Sequence, residues 1–162
     1  MHDVLYQLAE ETGLALKAKG WMLATAESCT GGWVGEIVTA VPGSSAWYDR
    51  GFITYTNASK QEMLGVQAET LAQHGAVSEE AVCEMASGTL LHSQANIALA
   101  ISGVAGPGGG SPGKPVGTVC FAWAIRDGAA NSERCLFPGD RREVRQHAVQ
   151  HALQGVLALM QL

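Results

Sequence analysis

Apolar and polar positions along this chain alternate between two periods, and together they predict interleaved helices and strands. Leu5, Leu8, Thr12, Ala15 and Leu16 fall at helical spacing and predict a first helix that ends near Gly20. Trp21-Met22-Leu23-Ala24-Thr25 is short and mostly apolar, as a buried strand is. Helical spacing returns with Trp33, Ile37, Val38 and Val41, and Pro42-Gly43-Ser44-Ser45 marks a turn or a helix start. Gly51 to Thr56 is rich in β-formers and predicts a second strand, followed by a short helix through Leu64 with Ser59 as its cap. Ala68 to Gln94 is helical in pattern, broken at His74-Gly75-Ala76. Ser78 caps the second half, with Glu79 and Glu80 in its first turn.

Ala95 to Ile101 is almost wholly apolar, a strand covered on both faces, and Thr118 to Ile125 is another buried strand. Ser132 to Phe137 has the mixed polarity of an edge strand. Asp140 caps a last helix whose buried stripe is Val149, Leu153, Val156, Leu157 and Met160. Helices and strands alternate early and two strands lie close together late, which predicts an α/β sandwich with a mixed sheet. No repeat or linker divides the chain, so residues 1–162 are read as a single domain.

Composition narrows the function classes. With 47% apolar and 15% charged residues the chain is globular. A net charge of -5 argues against a general nucleic-acid binder. No apolar run reaches the length of a bilayer span, and Met1-His2-Asp3-Val4 lacks the basic and apolar regions of a signal peptide. Cys29, Cys83, Cys120 and Cys135 show neither a CxxC pair nor zinc spacing, and the apolar surroundings of Cys83 and Cys120 predict buried thiols. A reduced, cytoplasmic protein is the simplest fit.

Two segments concentrate candidate chemistry. In Ala24-Thr-Ala-Glu-Ser-Cys-Thr-Gly-Gly32 a strand is predicted to run into a helix, with Ser28, Cys29 and Thr30 at a turn rich in unpaired N–H groups. Such a turn either receives an anion or oxyanion, or is simply capped by Ser28 or Thr30. The second segment, Gly103 to Gly117, contains Gly108 to Lys114, which satisfies GxxxxGK. Pro115 stands where a hydroxyl must hold magnesium, and a strand follows where a helix is required, so a phosphate-binding P-loop is rejected. A long glycine-rich connection remains, either a ligand wall or a surface loop.

A serine nucleophile needs a base. No histidine lies in a glycine-rich or strand-end context. His147 and His151 have i, i+4 spacing but no evident third ligand, so a solvated helix face is expected and no metal site. Lys60 follows the second strand much as Ser28 follows the first; it is either a base with a lowered pKa or an ordinary surface lysine. Tyr55 could relay a proton or stack on an aromatic ligand. Arg141, Arg142 and Arg145 suit a phosphate or carboxylate, or plain solvation of a helix start.

Seven segments occur in order: Ala26-Glu-Ser-Cys-Thr-Gly-Gly32, Val41-Pro-Gly-Ser-Ser45, Tyr55-Thr-Asn-Ala-Ser-Lys60, His74-Gly-Ala-Val-Ser-Glu-Glu80, Gly103-Val-Ala-Gly-Pro-Gly-Gly-Gly110, Lys114-Pro-Val-Gly-Thr118 and Phe137-Pro-Gly-Asp-Arg141. In these the chain closely resembles the CinA C-terminal domain family, over nearly its whole length. The resemblance implies a three-layer α/β/α sandwich with a mixed, mostly parallel sheet. It implies hydrolysis of the carboxamide of nicotinamide mononucleotide (NMN) to nicotinate mononucleotide and ammonia, with neither metal nor cofactor. It puts the nucleophile at Ser28, proton handling at Lys60 and Tyr55, and oxyanion stabilisation at Thr30 with the Gly31 and Gly32 amides. Substrate contacts are expected from Glu27, Cys29, Ser102, Gly103, Ala105, Gly106 and Gly108, and phosphate contacts from Arg141 or Arg142. Ser102 stands where the family commonly has threonine, which keeps the hydroxyl. A small-molecule nucleotide is thus the expected partner. The apolar helices from Ala68 to Gln94 and from Arg142 to Leu162 leave room for a homo-oligomer such as a dimer. The competing reading is a catalytically silent nucleotide- or protein-binding module.

Overall fold

The computed structural model describes residues 2–161, with side chains from Val4 onward; the reading of Met1 to Asp3 and the last residue of the expected dimer face, Leu162, lie outside it. The elements run α1 (His2–Lys19), β1 (Leu23–Glu27), α2 (Trp33–Thr39), a 3-10 turn (Ser44–Ala46), β2 (Tyr48–Ile53), α3 (Asn57–Leu64), α4 (Ala68–His74), α5 (Glu79–Leu91), β3 (Ile97–Gly103), β4 (Thr118–Ile125), β5 (Ala130–Leu136) and α6 (Arg141–Met160). All the predicted elements are present, displaced by a few residues. The cap of α3 is Thr56 rather than Ser59: Thr56 and Ser59 form a reciprocal capping box, with Ser59 as its third helical residue. Ser78 and Asp140 cap α5 and α6 as expected.

One five-stranded sheet has the order β2-β1-β3-β4-β5. β1 pairs in parallel with β2 and with β3, while β3–β4 and β4–β5 are antiparallel. The sheet is mixed, as expected: β1, β2, β3 and β5 run one way and β4 runs against them. The short connection between Ile125 and Ala130 dictates the last antiparallel pairing, because a parallel return needs a crossover.

Helices cover both sheet faces, which completes the three layers. α1, α2 and α6 pack on one face against Leu23, Ile97, Leu99, Ile101, Val119, Phe121 and Trp123. The opposite face presents Ala26, Ala98, Ala100, Cys120, Ala122 and Ala124 to α3, α4 and α5. On that side α5 lies so close to the end of α3 that a Cβ on Gly88 would fall 2.0 Å from the Leu64 carbonyl oxygen. Most of the apolar stripes of α5 and α6 is buried against the sheet, while Leu157 is only half-buried and Leu91 is exposed. Cys120 is buried as predicted, whereas Cys83 is only half-buried. Among the described residues no helix is long and apolar enough to cross a membrane.

β1 is followed by a crossover to β2 on one side, and the chain then passes to β3 on the other. The carboxyl ends of β1, β2 and β3 therefore border a topological switch point, where open α/β sheets place ligands.

Candidate active site

A cavity of about 320 Å³ opens at that switch point, lined among others by Ser28, Lys60, Tyr55, Ser102, Gly103 and Arg141. Side-chain alternation in β1 decides what enters it. Ala26 faces the small-residue side, and Ser28, two positions on, continues that direction. Glu27 points the opposite way, toward α2.

Lys60 comes from α3. Its Nζ lies 3.0 Å from Ser28 Oγ and donates to the Thr54 carbonyl at 2.8 Å. The residue is 2% exposed. Among the described residues no carboxylate lies within ion-pair distance of it. Burial without a counter-ion disfavours the ammonium form and pushes the Lys60 pKa below its ordinary value. The chain thus brings together a hydroxyl and an amine 32 residues apart in sequence.

The neighbouring nucleophile candidates are placed differently. The Thr30 hydroxyl is fully buried and donates to Glu27 Oε1 at 2.6 Å. The Cys29 thiol lines the cavity, but burial first, and the Glu27 carboxylate second, push its pKa up to about 12, so it is protonated at neutral pH.

Several residues expected to meet substrate lie outside the cavity lining. Glu27, Thr30, Gly31 and Gly32 do not line the cavity. Glu27 accepts from the Val34 and Gly35 amides at 2.9 and 3.0 Å, so the orphan N–H groups at the start of α2 meet the chain's own carboxylate. The Gly31 amide donates to the Ser28 carbonyl. The N–H groups left without a protein acceptor after Ser28 are those of Cys29, Thr30 and Gly32, among the described residues.

Ser102, Gly103, Ala105, Gly106 and Gly108 do line the cavity, on the β3 end and the loop after it. The Ser102 hydroxyl is 2% exposed. Gly103 allows the close approach there: a Cβ would meet Val119 Cγ2 at 2.8 Å and Cys29 Sγ at 3.1 Å. The far end of the loop is anchored elsewhere, since Lys114 donates to the His74 carbonyl and Arg134 to the Gly113 carbonyl.

Arg141 reaches the cavity from the start of α6. It donates to the Tyr55 hydroxyl at 2.9 Å and to the Gly106 carbonyl at 2.7 Å. Tyr55 is thus paired with Arg141 and hydrogen-bonds neither Ser28 nor Lys60. Arg142 is outside the cavity, with its guanidinium over the Trp33 ring. Two contributors escaped the sequence reading. The Thr54 carbonyl is a backbone group and leaves no residue signature. Arg145 donates to the Cys29 carbonyl at 3.0 Å and the Thr30 carbonyl at 3.3 Å, which fixes the turn after Ser28. Its place in the arginine cluster was visible; its target was not.

Comparisons with known proteins give the family. The family model described as the CinA C-terminal domain matches residues 5–160. The nicotinamide-nucleotide amidohydrolase PncC of Escherichia coli K12 is 57% identical over 150 residues, covering 93% of this chain and 91% of the relative. The Pseudomonas putida protein of the same name is 50% identical over 158 residues, covering 97% of this chain and 98% of its own. The crystal structure of the competence/damage inducible protein CihA from Agrobacterium tumefaciens superposes with a TM-score of 0.94 at 44% identity, covering 96% of this chain and 95% of that one. With nearly its full length matched in sequence and in fold, the chain belongs to the CinA C-terminal domain family.

Proposed function

We propose that this protein is an amidohydrolase that removes the carboxamide nitrogen of a nicotinamide nucleotide, converting NMN to nicotinate mononucleotide and ammonia in pyridine nucleotide salvage. The observation that carries the reading is the contact between Ser28 Oγ and a buried, unpaired Lys60 amine at the cavity floor. The names of the close relatives support the choice of substrate.

Desolvation lowers the Lys60 pKa and so favours the neutral amine, with the Thr54 carbonyl accepting one of its N–H groups. The neutral amine takes the Ser28 proton as Oγ attacks the carboxamide carbon. Negative charge then develops on the carbonyl oxygen. The free N–H groups of Cys29 and Thr30, which directly follow the nucleophile, are the donors nearest in sequence; one such donor contributes about 3–4 kcal/mol in known acyl-transfer sites. The proton held by Lys60 passes to the leaving nitrogen, ammonia departs, and water resolves the acyl-enzyme by the reverse sequence. Arg141, which lines the cavity, would be the cation that meets the phosphate. None of these steps uses a metal.

The test is direct. Purified protein incubated with NMN is expected to release ammonia and nicotinate mononucleotide, faster than with nicotinamide riboside or nicotinamide, which lack the phosphate. Ser28→Ala is expected to abolish turnover and keep wild-type thermal unfolding. Full turnover by that variant overturns the serine; no ammonia from any of the three amides leaves a binding module instead.

A further inference from the structure

Glu133 and Cys135 lie two positions apart on β5, so their side chains leave on the same face. That face meets His151, halfway along α6. His151 Nε2 is 3.2 Å from Glu133 Oε1. Cys135 Sγ is 3.5 Å from the same carboxylate oxygen and 3.5 Å from His151 Nε2. One sulfur, one imidazole nitrogen and one carboxylate oxygen thus form a nearly equilateral triangle.

That triangle has the size of a coordination polyhedron face. Zinc takes sulfur at about 2.3 Å, and imidazole nitrogen or carboxylate oxygen at about 2.0–2.2 Å. Tetrahedral angles between bonds of those lengths separate the ligand atoms by about 3.4–3.6 Å. The imidazole is also held in place: its ring centroid lies 4.7 Å from that of Phe121 and 5.9 Å from that of Phe137. His147, its i, i+4 neighbour, instead stacks on Phe137. β5 thus supplies two partners to His151, in place of a third ligand to the histidine pair.

We propose that Glu133, Cys135 and His151 bind a divalent cation of zinc type, separately from the deamidation site. The donor set selects a borderline-soft ion over magnesium or calcium, which prefer all-oxygen shells. Glu133 and His151 also line a cleft of about 370 Å³ beside Trp123, which leaves the fourth ligand to water. The ion joins two elements that are otherwise loosely coupled. β5 is an edge strand with nearly every residue exposed, and α6 carries Arg141 and Arg145 toward the catalytic cavity. Binding therefore ties the sheet edge to the helix that supports the active site.

Cobalt(II) reports the site directly. The full chain, stripped with chelator and kept reduced without added thiol, is titrated with Co²⁺ alone. A thiolate-to-cobalt charge-transfer band is expected, saturating at one ion per chain and bleached by Zn²⁺. Cys135→Ser is expected to remove the band, and His151→Asn to weaken binding by about tenfold or more. Zn²⁺ is expected to raise the thermal midpoint of the wild type and not that of either variant. Unfolding of the variants in chelator, matched to the chelated wild type, shows that they fold. No band in the wild type overturns the proposal and leaves a hydrogen-bonded surface cluster only. A band that survives Cys135→Ser overturns it equally, because the thiolate is then Cys29, Cys83 or Cys120.

Discussion

The two faces of the single sheet differ in side-chain size, and the difference places the chemistry. On β3, Ile97, Leu99 and Ile101 face α1, α2 and α6, while Ala98 and Ala100 face α5. β4 repeats the division, with Val119, Phe121 and Trp123 against Cys120, Ala122 and Ala124. The bulky side builds a thick apolar core. The alanine side lets helices approach the strands closely, and the amine that meets Ser28 comes from that side. Glu27, one residue earlier and facing the other way, closes the start of α2 instead. A strand end therefore delivers a reactive hydroxyl to one face and a structural carboxylate to the other, by alternation alone.

Removing the amine tests that division most severely. Lys60→Met is expected to lower kcat/KM by about 10²–10⁴-fold, the usual contribution of a positioned base. In the wild type, kcat/KM should climb with pH through the lowered pKa of Lys60, and so reach its plateau below the ordinary lysine value of 10.5. Stability should respond to pH in the same sense as activity. Between the folded-state pKa and 10.5 the unfolded chain binds the extra proton, so wild-type stability rises with pH in that window. Lys60→Met lacks this dependence. Its stability relative to wild type is therefore expected to fall as pH rises toward 10.5, measured by denaturant unfolding at several pH values. Parallel pH profiles for the two proteins would place the charge cost elsewhere.

Core substitutions on the two faces should separate stability from catalysis. Leu99→Ala leaves a cavity on the bulky side and is expected to cost about 2–5 kcal/mol of stability. Turnover per folded molecule should change little, because Lys60 and Ser28 are held from the other side. Ala100→Leu adds volume where α5 already lies close, and is expected to cost about 1–3 kcal/mol. It should also reduce turnover, since α5 packs on the end of α3 at Gly88. Equal catalytic losses in the two variants would mean that face size has no bearing on the site.

Much of this was legible in the residues, for identifiable reasons. Apolar pattern locates the long helices and the buried strands, because each covers a face, while β2, α3 and β5 are read from β-formers, a cap and mixed polarity. β2 is read late, starting at Gly51, because the strand begins with Tyr48, Asp49 and Arg50 at a sheet edge, where burial does not enforce alternation. The division by side-chain size is equally present in Ile-Ala-Leu-Ala-Ile, yet a reading of polarity treats both residues as apolar. Ser28, Lys60 and the loop after β3 were found as strand-end segments. Glu27, Thr30, Gly31 and Gly32 were drawn in with them because motif adjacency carries no direction; the pleat supplies it. His151 and Cys135 are both visible in the sequence, but their meeting with Glu133 is not, since contacts between an edge strand and a helix have no fixed spacing.

The smallest expected effect probes how the bulky side still reaches the site. Arg145 projects from α6 and donates to the carbonyls of Cys29 and Thr30, with its guanidinium 5.5 Å from the Trp33 ring centroid. It does not itself line the cavity, so it acts by holding the turn rather than by meeting substrate. Arg145→Met keeps most of the stem and removes both hydrogen bonds. The side chain is partly exposed, so water replaces part of what is lost, and a stability cost of about 1 kcal/mol is expected. A looser turn lets the Cys29 and Thr30 amides drift from the oxyanion they would bind, which lowers kcat more than it raises KM. Arg141→Met, by contrast, should raise KM for NMN and leave nicotinamide riboside nearly unaffected, because only the nucleotide carries the phosphate. If Arg145→Met instead raised KM for NMN alone, the arginine on the turn would be the phosphate contact, and α6 would serve substrate binding from two successive turns.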